Sequence, residues 1–422
     1  MEKNHINRNY RLAAIGIFII LVACTSGKRN SNQMQNDTKS CPKGTYGYDV
    51  SFLAENKMET IELKDTVTDA RVLIAPGLQG RVMTSAAGGN QGASYGWINY
   101  KLIESGQRSS QFNAFGGEER FWIGPEGGPF SIYFKKGDEQ VFANWQVPKE
   151  IDTEAFGVTE KTMGMVRFSK DFSLTNASGT KLDLGVERTV KILSKNETEQ
   201  VLQVQLGDSL NFVAFETENI LSNKGANDWT EKNGFLSIWL LCMFNPSEKG
   251  VVCIPYKTGD GISGKIVTDD YFGKVPADRL IVKDGVLFFK TDGKFRSKIG
   301  IPPQRALPYC GSYDAGSRVL TVLWYSQPDV PAKYVNSVWG AQDDPLSGDA
   351  VNSYNDGPTD DGSIMGPFYE IESSSPAALL KAGGQITHVQ RIFHISGDEK
   401  QLSEISRKLF GVSVDEIKGV FK

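Results

Sequence analysis

Short apolar runs, rich in β-branched and aromatic side chains, recur along most of this 422-residue chain, separated by Gly, Asn and Asp. They include RVLIA (71–75), FSIYF (130–134), VERTVKIL (186–193), VLQVQL (201–206), FLSIWLLCMF (235–244), VLFF (286–289), RVLTVLWY (318–325) and ITHVQRIFHI (386–395). Such runs fit strands, and the 44 glycines supply the turns between them. Strands at this spacing over more than 300 residues predict an all-β fold, a large antiparallel sandwich. There are no heptads, no fixed-period repeat and no compositional break. Helix is expected only in the tail, where Asp398 can cap EKQLSEISRKLF, Gly411 stops it, and VDEIKGVF adds a further turn. The expected packing of that helix is against the sandwich edge.

The N-terminus has a different character. Lys3, Arg8 and Arg11 precede an uncharged run, LAAIGIFIILVA, from Leu12 to Ala23. Twelve apolar residues suit a signal peptide and fall short of the ~20 needed to span a bilayer. The run ends Leu21-Val22-Ala23-Cys24, which resembles the lipobox of bacterial lipoproteins. The resemblance implies cleavage after residue 23, lipid on Cys24 and a membrane anchor in the cell envelope. Asn-, Gln- and Ser-rich sequence follows to about Ser40, so residues 24–44 read as a flexible tether, 45–397 as the β domain and 398–422 as a helical appendage.

Without the leader, 43 basic and 49 acidic residues remain, a net charge of about −6. A mildly acidic chain with no Lys/Arg cluster argues against binding nucleic acid, which calls for a basic face. No dinucleotide, phosphate-loop or other cofactor fingerprint is present. Three histidines and no CxxC exclude the usual zinc spacings. Cys242 and Cys253 lie in neighbouring apolar runs and fit either a disulfide across a hairpin or two buried thiols.

Four stretches carry chemistry. Residues 113–130, NAFGGEERFWIGPEGGPF, combine glycines with Glu118, Glu119, Arg120, Trp122 and Glu126. Glycine lets backbone approach a ligand, arginine offers a fork of donors and tryptophan a flat apolar face, a set that suits a sugar. Residues 366–376 contain Tyr369-Glu-Ile-Glu. On a strand Glu370 and Glu372 share one face with Phe368, and their mutual repulsion raises one pKa, as general acid–base work requires. In the last strand His388 and His394 share a face with Ile386, Gln390 and Ile392. The opposite face is the more apolar and is expected to meet the core, leaving both histidines at the surface. Asp343, Asp344, Asp349, Asp356, Asp360 and Asp361 form an acidic loop without EF-hand spacing, so no metal site is predicted.

These residues bear a family resemblance. Tyr369-Glu-Ile-Glu-Ser-Ser-Ser-Pro, then Leu380-Lys-Ala-Gly-Gly-Gln and a closing strand, resembles the end of galactose mutarotases (aldose 1-epimerases). Glu372 falls at the position of their catalytic glutamate, and Lys381-Ala382-Gly383 replaces their usual turn. FGGEERFWIGPEGG is similar to a segment of the sugar-phosphate mutarotase-like branch in which an arginine contacts the sugar. The mature chain as a whole resembles an uncharacterised bacterial lipoprotein family of that superfamily. The resemblance implies a β-supersandwich with a concave face left open to a carbohydrate. Arg120, Trp122, Glu370 and Glu372 are expected to converge there, with Glu372 as base, Glu370 as its modulator, Glu119 contacting substrate, and Lys224 and Asp228 on the rim. Arg120 is expected to pull one glutamate's pKa down while the other stays raised. The family's mid-chain histidines are missing, since Lys224 stands at the histidine position of Leu221-Ser-Asn-Lys-Gly. Lysine titrates near ~10.4 and is a poor proton donor and acceptor at neutral pH, so a non-catalytic carbohydrate-binding lipoprotein is the alternative function.

Overall fold

The computed structural model describes residues 41–359 and 361–422; the leader, Cys24, the tether to residue 40 and Asp360 lie outside the described residues. Three antiparallel sheets carry the chain. From edge to edge the largest runs Leu280–Lys283, Val286–Lys290, Gly250–Pro255, Tyr309–Asp314, Val319–Tyr325, Gln385–Gly397, Leu210–Asn223, Lys181–Ile192, Met165–Thr175 and Gly157–Lys161. The second runs Ser297–Ile301, Val351–Asn355, Tyr369–Ser374, Ser237–Phe244 and Arg120–Gly124. A small third sheet, Ile61–Lys64, Arg71–Ala75 and Arg81–Ala86, joins the second through a bridge from Val82 to Glu119. The fold is the expected all-β sandwich.

The ten-stranded and five-stranded sheets pack face to face. Alternation aims Phe121, Ile123, Ile238, Leu240, Cys242, Tyr369 and Ile371 of the five-stranded sheet into this layer, and all are buried. Polar bridges cross it. Ser373 Oγ meets His388 Nε2 at 2.8 Å and donates to Gln390 at 2.7 Å, and Gln390 donates to Cys242 Sγ at 3.2 Å. His388 and His394 therefore point inward, each 1% exposed, contrary to the sequence expectation. The apolar opposite face misled because it too is covered. Phe393 and Ile395 pack under the C-terminal helices Glu399–Phe410 and Val414–Gly419. Those helices lie on the outer face of the large sheet, against Val251, Leu320 and Val322, rather than at its edge.

Other expectations need correction. FSIYF forms no strand: Ile132, Tyr133 and Phe134 are buried in the core, and the Tyr133 hydroxyl donates to the Ile123 carbonyl. VLQVQL is also not a strand. Ser194 and Glu197 form a reciprocal capping box, which starts the helix Lys195–Leu202 through its first two residues. Helices also form at Tyr46–Glu55 and Tyr100–Ser105, outside the tail. Cys242 and Cys253 belong to different sheets, so no hairpin joins them; both are buried free thiols.

Candidate functional site

The outer face of the five-stranded sheet carries the polar side chains. Register places Arg120, Leu241, Glu372 and Asn352 in one row across it, and Met243, Glu370, Tyr354 and Lys298 in the next. A third row holds Trp122, Trp239 and Ser374. Because facing residues share a side, all five strands deliver these groups to one surface. The close contacts are diagonal, within reach of long side chains. Lys298 Nζ donates to Glu372 Oε2 at 2.9 Å, and Arg120 Nη2 lies 3.7 Å from Glu370 Oε1. Trp239 Nε1 makes a second bond to Glu372 Oε2, also 2.9 Å. Glu372 Oε1 is buried without a partner.

The structure thus brings Arg120, Glu370 and Glu372 together across some 250 residues of sequence. Trp122 shares their face as a floor, with the Arg120 guanidinium 4.0 Å above its ring and Trp239 edge-on beside it. The remaining predicted members go elsewhere. Glu119 alternates to the inner face, where it pairs with Arg188 at 2.8 Å and accepts from Thr217. Lys224 reaches only Asp171, at 4.0 Å, and Asp228 binds Lys381 and the Ala382 amide. Asp228 lines a separate cavity of about 80 Å³, between residues 180–183 and 223–233, away from the two glutamates.

Sequence reasoning missed Lys298, Trp239 and Asn352 altogether, and left Glu126 without a role. Lys298 lies in SKIGI, a run that offers no motif, and only the sheet register places it beside Glu372. Asn352 donates to the Tyr271 hydroxyl at 3.1 Å, which in turn donates to Asp349 at 2.5 Å. Asp349 and Asp356 of the acidic loop are occupied by such local bonds, Asp356 by Tyr354 and the Gly366 amide. Among the described residues no three metal-ligating side chains cluster.

The face is covered, not open. Arg120, Glu370 and Glu372 are all less than a tenth exposed. The roof consists of the 125–145 and 335–342 segments. Gly127 allows them to meet, since a Cβ there would stand 2.3 Å from the Val338 carbonyl oxygen. Gly127 therefore serves a backbone–backbone approach. Trp145 stacks on Tyr133, Trp339 and the exposed Phe142. Beneath lies a cavity of about 20 Å³ over Trp239, Lys298 and Asn352, room for roughly one water.

Burial governs the electrostatics. It pushes the Glu370 carboxyl up to about 8; the neighbouring Glu372 adds to the rise, and Arg120 and Lys298 oppose it without prevailing. Glu370 is thus the glutamate of the pair that stays raised. Burial likewise raises Glu126 to about 7, against the pull of Lys298. For Lys298 burial works downward, but Glu372 and Glu126 outweigh it and hold the ammonium above its ordinary value.

The sequence matches no curated protein. Among solved structures, the chain is similar to Slr1438 from Synechocystis sp. PCC 6803, at 13% identity and TM-score 0.48, covering 81% of this chain and 96% of that one. It is similar to a galactose mutarotase-like protein from Lactobacillus casei ATCC 334, at 10% identity and TM-score 0.46, covering 80% and 100%. A galactose mutarotase related enzyme from Lactobacillus acidophilus gives 10% identity, TM-score 0.42 and coverage of 80% and 97%. At this distance the likenesses carry no argument about ligand or chemistry. The model of a family of unknown function, DUF6786, matches residues 44–421, and the chain belongs to that family.

Proposed function

We propose that this protein is a lipid-anchored envelope protein that binds a carbohydrate on the outer face of its five-stranded sheet and moves protons on it. The observation that carries the reading is the pair Glu370 and Glu372, two residues apart on one buried face and held by different neighbours. Glu370, pushed up to about 8, keeps a proton to give at neutral pH. Glu372 accepts from Lys298 and Trp239 through one oxygen and has the other unpartnered. On a bound pyranose, Glu372 takes the proton of the anomeric hydroxyl while Glu370 protonates the ring oxygen. The C1–O5 bond then breaks and leaves an open-chain carbonyl. Reclosure on the other face inverts the anomer. The indoles of Trp122, Trp145 and Trp239 supply the flat apolar surface that sugar C–H faces require. Entry requires the 125–145 and 335–342 roof segments to shift, because the present cavity is far smaller than the ~300–1,000 Å³ of ordinary ligand pockets.

The alternative, carbohydrate binding without turnover, is favoured by one observation. His388 and His394 are on the far side of the five-stranded sheet, and Lys224 is away from Glu372, so among the described residues no imidazole attends the site. Titration of the full chain against a sugar panel, with anomer exchange followed by NMR, separates the two. Binding with exchange lost in Glu372→Gln supports catalysis; binding with no exchange selects the alternative; no binding refutes both. The anchor is supported by Lys3, Arg8 and Arg11, the apolar run 12–23 and Cys24. No helix among the described residues is long and apolar enough to cross a membrane. Cys24→Ala is expected to leave the membrane fraction. Its full retention there would overturn the anchor.

A further inference from the structure

Arg120 and Arg81 are both buried, Arg120 3% and Arg81 0% exposed. Neither has a conventional ion pair. Arg81 spends its donors on the Gly116 carbonyl and on Gln79, and among the described residues no carboxylate lies within 4 Å of it. Arg120 has only Glu370, at 3.7 Å, too long for a hydrogen bond, and its Nε and Nη1 are buried without partners. Asp152 attracts both guanidinium groups electrostatically. Its Oδ2 accepts from Asn113 and its Oδ1 is unpartnered. Arg188 is neutralised by Glu119, and Lys298 by Glu372. Two guanidinium groups are left to share Asp152, with Glu370 leaning neutral through burial and Glu126 close to its midpoint. In this corner, away from water, the buried guanidinium groups are under-paired by carboxylates, and Arg120 keeps two donors without partners. A buried charge short of its counter-charge is costly, and a ligand that supplies the counter-charge relieves that cost.

We propose that the ligand is an acidic sugar, a uronate whose ring carboxylate docks on the free donors of Arg120. The proposal rests on the carbohydrate reading of the site and narrows it to one substrate class. A neutral hexose can fill Nη1 with a hydroxyl but leaves the charge uncompensated, whereas a carboxylate gives a charge-assisted bond of about twice the strength. An amino sugar would set a further cation beside Arg81, Arg120 and Lys298. A phosphate monoester brings nearly two charges to the one guanidinium that has free donors.

Calorimetry on the full chain tests this with glucuronate, galacturonate and mannuronate, each against its neutral hexose and its hexose 6-phosphate. At least one uronate is expected to bind about tenfold or more tightly than its parent hexose. Arg120→Gln is expected to erase that preference, the uronate losing about tenfold more affinity than its hexose, and Arg120→Lys to restore part of it. The wild-type comparison stands by itself if the glutamine variant does not fold. A hexose bound as tightly as its uronate overturns the inference and leaves the carbohydrate reading intact. Preference for the phosphate overturns the carboxylate assignment. Failure of every sugar to bind removes the carbohydrate reading as well.

Discussion

Glu370 shows how strongly burial can set a side chain's charge. A guanidinium 3.7 Å away would ordinarily favour the carboxylate, yet the folded-state pKa stands at about 8 because the charged form has lost its water. The consequence for stability has a definite sign. With the folded value above the unfolded one, near 4.5, the contribution is complete below about pH 4.5 and is lost as pH rises through about 8. Glu370→Gln, which resembles the protonated form, escapes this loss. Between pH 7 and 9 the stability of wild type relative to Glu370→Gln is expected to fall by about 1 kcal/mol in urea unfolding. Parallel pH profiles for the two proteins would show that Glu370 is ionised in the folded state. His388 follows the same logic with the opposite sign: burial lowers it to about 3, so it packs neutral between the sheets, and acid, not base, works against it.

At the scale of the element, local signals were reliable where a terminus or an alternation defined them. Asp398 accepts from the Gln401 amide, and Gly411 ends the helix in the left-handed region at φ 80°, both as read from the sequence. Asp398→Ala is expected to cost about 1 kcal/mol of stability, measured by urea unfolding at neutral pH; an unchanged midpoint would mean the cap is idle. The strand Tyr369–Ser374 likewise alternates as expected, with Tyr369 and Ile371 inward and both glutamates outward. Where a run was only apolar, the reading failed. FSIYF buries its aromatic rings without joining a ladder, and VLQVQL yields its first residues to a helix whose capping box lies upstream. Composition alone cannot separate a paired strand from a buried irregular segment or a helix end.

At the scale of the molecule, the C-terminal helices are a third layer rather than an appendage. Leu402, Ile405, Phe410, Val414 and Ile417 cover Val251, Val322, Phe393 and Ile395 of the large sheet. Deleting residues 398–422 is expected to bare this apolar face and to give a protein that binds a hydrophobic dye and aggregates on purification. A soluble, monomeric product that binds no dye would return the helices to the status of an ornament. The sequence by itself determined the all-β architecture, the shared face of Glu370 and Glu372, and the ends of the final helix, because strand alternation and capping are interactions between residues a few positions apart. Only the tertiary structure decided which face of the last strand is inner, that Lys298 holds Glu372 from 74 residues away, and that Glu370 keeps its proton. Each of these depends on what another part of the chain lays over a residue, and burial of that kind leaves no trace in local spacing.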